Sequence, residues 1–198
     1  MRRIFLLCVL SIIGVIFPLH SQTLSVGLRN NEYVGMEVMY KSFGFQVEHS
    51  LFAQKFSRQY MKCLFSYQRE YKEVIVKVLG TWGTSHDHTF YNTGVGMCAS
   101  LFKKQYYVSA LINPYYDSVL GYNTCYEIEG RLHCFKGIYG ILELGNVPEY
   151  RIPLNRLRFG VYLSEFENLW VKGTLSVPLE GNSRYIRALC SFGYQFNL

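Results

Sequence analysis

The sequence predicts an all-β protein: a closed, antiparallel, up-and-down transmembrane β-barrel of twelve strands, with eight or ten strands as the alternatives. Three observations predict it. Apolar and polar residues alternate with a period of two from residue 22 almost to the end of the chain, the repeat of strands whose successive side chains point to opposite faces. The breaks in that alternation sort by parity into short turns and longer connections, as they must when all the tight turns of a barrel lie at one end. The chain also opens with a secretory signal.

That signal comes first in order. Met1-Arg2-Arg3 gives a positive start, and Ile4 to Leu19 is an apolar run interrupted only by Cys8, Ser11, Gly14 and Pro18. This is the layout of a cleavable signal peptide, and at about 16 residues the run is shorter than the ~20 a membrane-spanning helix needs. Cleavage is expected after Ser21, so the chain divides into a signal at 1–21 and one barrel domain at 22–198. Cys8 leaves with the signal.

The alternating runs that follow are read at 22–30, 33–41, 43–52, 58–69, 72–83, 89–101, 104–115, 121–132, 135–146, 156–163, 169–178 and 184–196. Breaks after the even-numbered runs are short and fall around Ser42, Tyr71, Phe102-Lys103, Cys134 and Glu165 to Glu167. Breaks after the third and later odd-numbered runs are mostly longer, among them Thr84 to His88, Tyr116 to Leu120 and Val147 to Asn155. An even strand number then leaves both termini on the side of the short turns.

Composition agrees. The chain carries 17 Tyr, 14 Phe and 17 Gly, yet its mean hydropathy is only +0.05 and no second long apolar run follows the signal. A helical membrane protein is excluded, whereas strands with one greasy and one polar face produce this profile. The formal charge of +6 includes two arginines of the signal. The remaining basic residues are scattered without a cluster or an RNA-binding signature, so a nucleic-acid partner is not expected. Five cysteines remain after the signal, an odd number that argues against a disulfide framework. Cys63, Cys98 and Cys190 read as small apolar fillers, and whether Cys125 and Cys134 pair across a hairpin stays open.

In the predicted register one face carries Val34, Met36, Val38, Tyr40, Phe43, Phe45, Val47, Met61, Phe65, Tyr67, Val74, Val76, Val78, Trp82, Val95, Met97, Val108, Ile112, Leu142, Leu157, Phe159, Val161, Val171, Leu175 and Val177. The other carries Glu37, Lys41, Gln46, Glu48, Lys62, Gln68, Glu73, Lys77, Asn113, Glu127, Glu129, Glu143, Arg156, Arg158, Lys172 and Arg187. A β-sandwich would alternate in the same way. The signal, the loop parity and the chain's last strand favour the barrel.

In that last strand every second residue from Ile186 to Phe196 is apolar or aromatic, ending in Phe192, Tyr194 and Phe196, while Tyr185, Arg187, Ser191 and Gln195 take the other face. After an export signal, this resembles the terminal strand that Gram-negative outer-membrane β-barrel proteins present to their assembly machinery. Asn197 and Leu198 follow the last aromatic, where that family usually ends on it. The resemblance, to small envelope barrels of Gram-negative bacteria and of the Bacteroidetes kind among them, implies an outer-membrane location. It implies outer-membrane lipid and the barrel assembly machinery as partners, with Phe192, Tyr194 and Phe196 as the assembly signal. The oligomeric state stays open.

The candidate functional residues are the inward charges Glu37, Glu48, Lys62, Glu73, Lys77, Glu143, Arg156, Arg158, Lys172 and Arg187. Charge held away from water has to be wet or paired. Acidic positions dominate the early and middle strands and basic ones the last three, so the expectation is either a field across a narrow pore or an ion-paired plug. His86-Asp87-His88 offers two imidazoles and a carboxylate, short of a defined metal site, and no metal or cofactor is expected. Glu48-His49-Ser50 groups acid, base and hydroxyl as some outer-membrane lipid deacylases and phospholipases do, but adjacent strand residues face opposite ways, so His49 cannot serve Ser50. Asn113-Pro114-Tyr115-Tyr116-Asp117 and Pro148-Glu149-Tyr150-Arg151 read as strand ends with girdle aromatics. The functional expectation is a non-enzymatic barrel acting as a narrow channel or structural envelope component. A lipid-modifying enzyme and an accessory factor for secretion, assembly or adhesion are the alternatives.

Overall fold

A computed structural model describes residues 22–50, 60–85, 91–103, 105–147, 154–166, 168–180 and 185–197. The expected signal peptide, the His86-Asp87-His88 loop and Pro148 to Arg151 lie outside the described residues.

Twelve strands follow in chain order: β1 Gln22–Arg29, β2 Tyr33–Tyr40, β3 Phe43–Ser50, β4 Tyr60–Tyr71, β5 Val74–Ser85, β6 Tyr91–Lys103, β7 Tyr106–Asp117, β8 Gly121–Phe135, β9 Ile138–Gly145, β10 Arg156–Phe166, β11 Leu169–Pro178 and β12 Arg187–Asn197. Each pairs antiparallel with its chain neighbours, and β12 pairs with β1 to close the ring. The predicted strand count and order are those of the structure, with strand ends displaced by at most three residues.

Five connections, β2–β3, β4–β5, β6–β7, β8–β9 and β10–β11, have two residues each and lie at one end of the barrel, where both β1 begins and β12 finishes. Connections at the opposite end run from three to ten residues. Two of the tight turns place a lysine in the left-handed region, Lys41 at φ 52° and Lys72 at φ 57°. Such turns match the twist of the strands they join but favour glycine or asparagine. Lys41 and Glu73 therefore sit in turns, not on the lumen wall where the alternation placed them. Glu73 pairs with Lys103 at 3.6 Å in solvent.

The seam between first and last strands is completed by side chains. β1 has 8 residues against the 11 of β12, leaving the loop-side edge of β12 without a strand partner. Asn30 and Asn31, at φ 54° and 62°, fold back over it. Asn31 N donates to the Cys190 carbonyl, Cys190 N donates to Asn31 Oδ1, and Asn30 N donates to Ser191 Oγ, each at 2.9 Å. An exposed strand edge is a site for wrong pairing, and these bonds occupy it.

The register fixes two faces. Residues paired directly across strands share a face, so Val78, Met97 and Ile112 line up on the outside, while Lys77, Cys98 and Leu111 line up inside. The outside is apolar and open: Val95 is 69% exposed, Phe65 61% and Leu142 57%. Ring pairs Phe43–Tyr67 and Phe45–Phe65 cross from β3 to β4 at 5.2 and 4.8 Å. An apolar surface that circles a molecule has no place in water and suits hydrocarbon. Inside, buried side chains are largely polar or charged, Glu129, Glu143, Arg156, Arg158 and Ser176 among them.

Cys125 and Cys134 do not flank a turn. They lie nine residues apart on β8, roughly 30 Å at a strand's rise, and both are free thiols, as are Cys63, Cys98 and Cys190. β8 continues three residues past the predicted break, with a register shift between His133 and Phe135.

Candidate functional site: the charged lumen

The interior holds a cavity of about 480 Å³ whose walls include β1 to β4 on one side and β8 to β12 on the other. Its ionised lining consists of Arg29, Lys62, Arg131, Arg158 and Lys172 with Glu37, Glu48, Glu127 and Glu143.

The charges are interleaved, not segregated. Arg29 on β1 clasps Glu48 on β3 through two bonds of 2.7 Å and lies over the Tyr33 ring at 4.4 Å. Lys62 faces Glu48 from the adjacent register position on β4. Lys77 Nζ on β5 reaches Glu37 on β2 at 3.1 Å, past the two intervening strands. On the other wall, Arg158 Nη1 donates to Glu127 at 3.0 Å and to Glu143 at 3.4 Å, and its Nη2 donates to the Val147 carbonyl at 3.0 Å. Lys172 pairs with Glu129 at 2.9 Å and also with Glu143. Arg131 pairs with Glu129 and is sandwiched between the rings of Tyr107 at 4.5 Å and Tyr162 at 4.0 Å.

Of the two arrangements the sequence left open, a field across the lumen and an ion-paired interior, these contacts have the pairing of the second, with charges neutralised locally. Glu127, Glu129 and Glu143 stand beside Arg158 and Lys172 on β8 to β11, because register and strand tilt bring β8 against β11 through the lumen. Arg156 plays another part. It is 1% exposed and donates to Ser176 Oγ at 3.3 Å and to the Tyr185 carbonyl at 3.1 Å, holding the β11–β12 connection. Arg187 begins β12 on the inward face opposite Ser176.

Phe192, Tyr194 and Phe196 all face outward, paired with Leu28, Val26 and Leu24 of β1, and the rings of Tyr194 and Phe196 meet edge-on at 4.7 Å. Glu48 and Ser50 are buried inward while His49 takes the outer face, so these three residues form no triad. His133 is at the turn end of β8, away from Ser50 at the loop end of β3. In the Asn113–Asp117 segment Tyr116 is an outer-face aromatic, and buried Asp117 accepts from Val119 N and Leu120 N at 2.8 and 3.0 Å to shape the short β7–β8 connection.

Alternation alone missed Arg131, Tyr162 and Trp170. Tyr162 and Trp170 are inward aromatics whose rings lie 6.2 Å apart and 23° from parallel. Their period-two positions carry the signal that would have found them, since each sits in step with Arg158 or Lys172.

No family model matches the chain, and no curated protein matches its sequence. Solved structures do match in shape. The KdgM porin in complex with disordered oligogalacturonate superposes with a TM-score of 0.61 at 10% identity, covering 90% of this chain and 99% of that one. The KdgM porin gives 0.60 at 10% identity over 89% and 99%, and the NanC porin 0.52 at 8% over 88% and 98%. The fold is that of a small outer-membrane porin. At these identities the likeness is one of backbone architecture and carries no residue across.

Proposed function

We propose that this chain is a small outer-membrane β-barrel without enzymatic chemistry that serves as a narrow channel for small polar solutes. The observation that carries this reading is the cavity of about 480 Å³ inside a closed barrel, walled by ionised side chains that hold partners and leave space between them. An apolar outer band and the porin architecture support the membrane setting, and the apolar leader supports export to it. Phe192, Tyr194 and Phe196 are the surface the assembly machinery would read.

The KdgM porin is described with oligogalacturonate, an acidic oligosaccharide. Here Arg29, Lys77, Arg131, Arg158 and Lys172 already hold carboxylates, so this channel suits solutes of low charge and discriminates ions weakly. Purified, refolded protein in a planar bilayer should give small stepwise conductances with a reversal potential near zero in a salt gradient. A heat-modifiable, folded barrel that inserts into the bilayer and gives no steps would overturn the channel reading.

A further inference from the structure

We propose that the lumen contains a platform for one uncharged sugar ring, formed by the face of Trp170 and a strip of bare backbone beside it. The inference rests on the channel reading for its access route but is tested separately. One inward row of directly paired residues runs Trp170, Gly193, Gly27, Gly35, Glu48. Three consecutive inward positions on β12, β1 and β2 thus carry no side chain, and all three, with Trp170, line the cavity. A Cβ on Gly193 would stand 2.7 Å from the atoms of the Trp170 ring system, so the indole lies flat on the wall over Gly193. A Cβ on Gly35 would meet the Val47 carbonyl at 3.5 Å and Gln46 and Glu48 at 3.9 Å, ordinary contacts, so a small side chain would fit there without a clash and the glycine leaves that much room unfilled.

A flat aromatic wall with Tyr162 stacked beside it is a poor surface for water. The C–H face of a pyranose covers it well, because the negative ring face attracts weakly positive C–H groups. The sugar's rim of hydroxyls then needs both donors and acceptors, and Ser25, Gln46, Glu48 and Lys62 supply both along the same cavity. At about 480 Å³ the space lies within the roughly 300–1,000 Å³ of ordinary ligand pockets. The ligand is uncharged because Lys172, Arg158, Arg131 and Arg29 are paired with carboxylates and Lys62 stands directly beside Glu48, so an anion would have to displace a carboxylate or share Lys62 with one. A purely structural role, in which the indole only shields Gly193, predicts no response to sugar.

The chain has two tryptophans, Trp82 on the outer face and Trp170 inside. Trp82→Phe leaves Trp170 as the only indole. Titrating this variant with maltotriose should change its emission saturably and protect it from acrylamide quenching, while trigalacturonate at the same concentrations should do neither. Gly35→Leu in that background fills the strip without touching Trp170 and should abolish the response. Should that variant fail to refold, Trp170→Leu is read by conductance, and block by maltotriose should weaken about tenfold, the factor for one lost stacking contact. An emission unmoved by maltotriose, tighter binding of trigalacturonate, or a Gly35→Leu variant that responds like its parent would each overturn the platform. A saturable response in a protein that never conducts would retain the platform and reject the channel. Conductance with an unresponsive Trp170 would do the reverse.

Discussion

Arg29 and Glu48 form a two-pronged ion pair: Nε and Nη2 of the arginine each donate at 2.7 Å, one to each carboxylate oxygen. The pair bridges β1 and β3 across β2, with the guanidinium 4.4 Å over the ring of Tyr33, the β2 residue paired directly with Arg29. Planar guanidinium against planar carboxylate is the geometry in which an ion pair adds specificity as well as energy. Glu48 is 5% exposed, so its partner cannot readily be replaced by bulk water.

Glu48→Gln should therefore destabilise the barrel by about 1.5–3 kcal/mol, the range for hydrogen bonds to a charged group. The double variant Arg29→Met with Glu48→Leu should lose less than either single change, because no unpaired charge is left inside. Refolding titrations in urea for Glu48→Gln and for the four proteins of the cycle, the parent, Arg29→Met, Glu48→Leu and the double variant, measure this. Additive losses would show that the two side chains do not support each other.

The two faces make a second prediction. Val78 lies outside near the middle of β5, opposite Met97 and Tyr67. Val78→Arg should cost about 2–4 kcal/mol in a lipid refolding titration, the penalty for arginine near the bilayer midplane. Val76 is also outside, but its direct partner on β4 is Arg69, which marks the turn-side rim. Val76→Arg should cost about 0–1 kcal/mol, and Lys77→Arg on the inner face little. Equal penalties at positions 77 and 78 would reject the assignment of faces.

Period-two alternation made the strands legible because one face meets apolar surroundings and the other does not, and a slip of one residue would invert every side chain. Turn parity added strand order and the side of the termini. Cross-lumen partners were not legible. That Lys77 meets Glu37, or Lys172 meets Glu129, depends on register between strands and on tilt, which no single strand encodes. Glu73 kept the inward phase of β5 but fell one residue before it, inside a two-residue turn. Cys134 was misplaced because the shift near His133 prolongs β8. The row Gly193, Gly27, Gly35 was invisible for a different reason: glycine is neutral in a hydropathy pattern, and only strand pairing shows that three of them adjoin.

Thiol chemistry tests the register strand by strand. On β4, Lys62 and Leu64 face inward and Met61, Cys63 and Phe65 outward. In a cysteine-free background reconstituted into liposomes, single cysteines at 62 and 64 should react with a charged maleimide. Those at 61, 63 and 65 should be protected by lipid. Uniform labelling would overturn the register of β4.

Lys72 adopts φ 57° in the β4–β5 turn, a conformation that costs an ordinary residue about 1–2 kcal/mol and glycine little. Lys72→Gly should stabilise the barrel by up to about 1 kcal/mol after the entropy glycine loses on folding. The Glu73–Lys103 contact is too exposed to alter the sign. A shift of the urea midpoint to lower concentration would show that the lysine side chain contributes through a contact of its own.

The paired wall of β8 to β11 gives the prediction that separates a filled lumen from an open one. Arg158 is 3% exposed and Glu143 2%, so each is held largely by the other and by Glu127 and Lys172. Replacing Arg158 and Lys172 together by Gln leaves Arg131 as the single cation bonded to the group Glu127, Glu129 and Glu143 among the described residues. If water fills the space between them, the carboxylates stay ionised, the double variant folds, and the reversal potential moves toward cation selectivity. If the network is a dry plug, the uncompensated carboxylates cost about 3–5 kcal/mol and no new conductance appears. Adding Glu143→Gln removes one orphaned charge and should restore part of the lost stability in the dry case, while reducing the cation preference in the wet one. The cavity beside Arg158 and Lys172 favours the wet outcome. A double variant that matches its parent in both stability and reversal potential would mean that neither residue faces the conducting path.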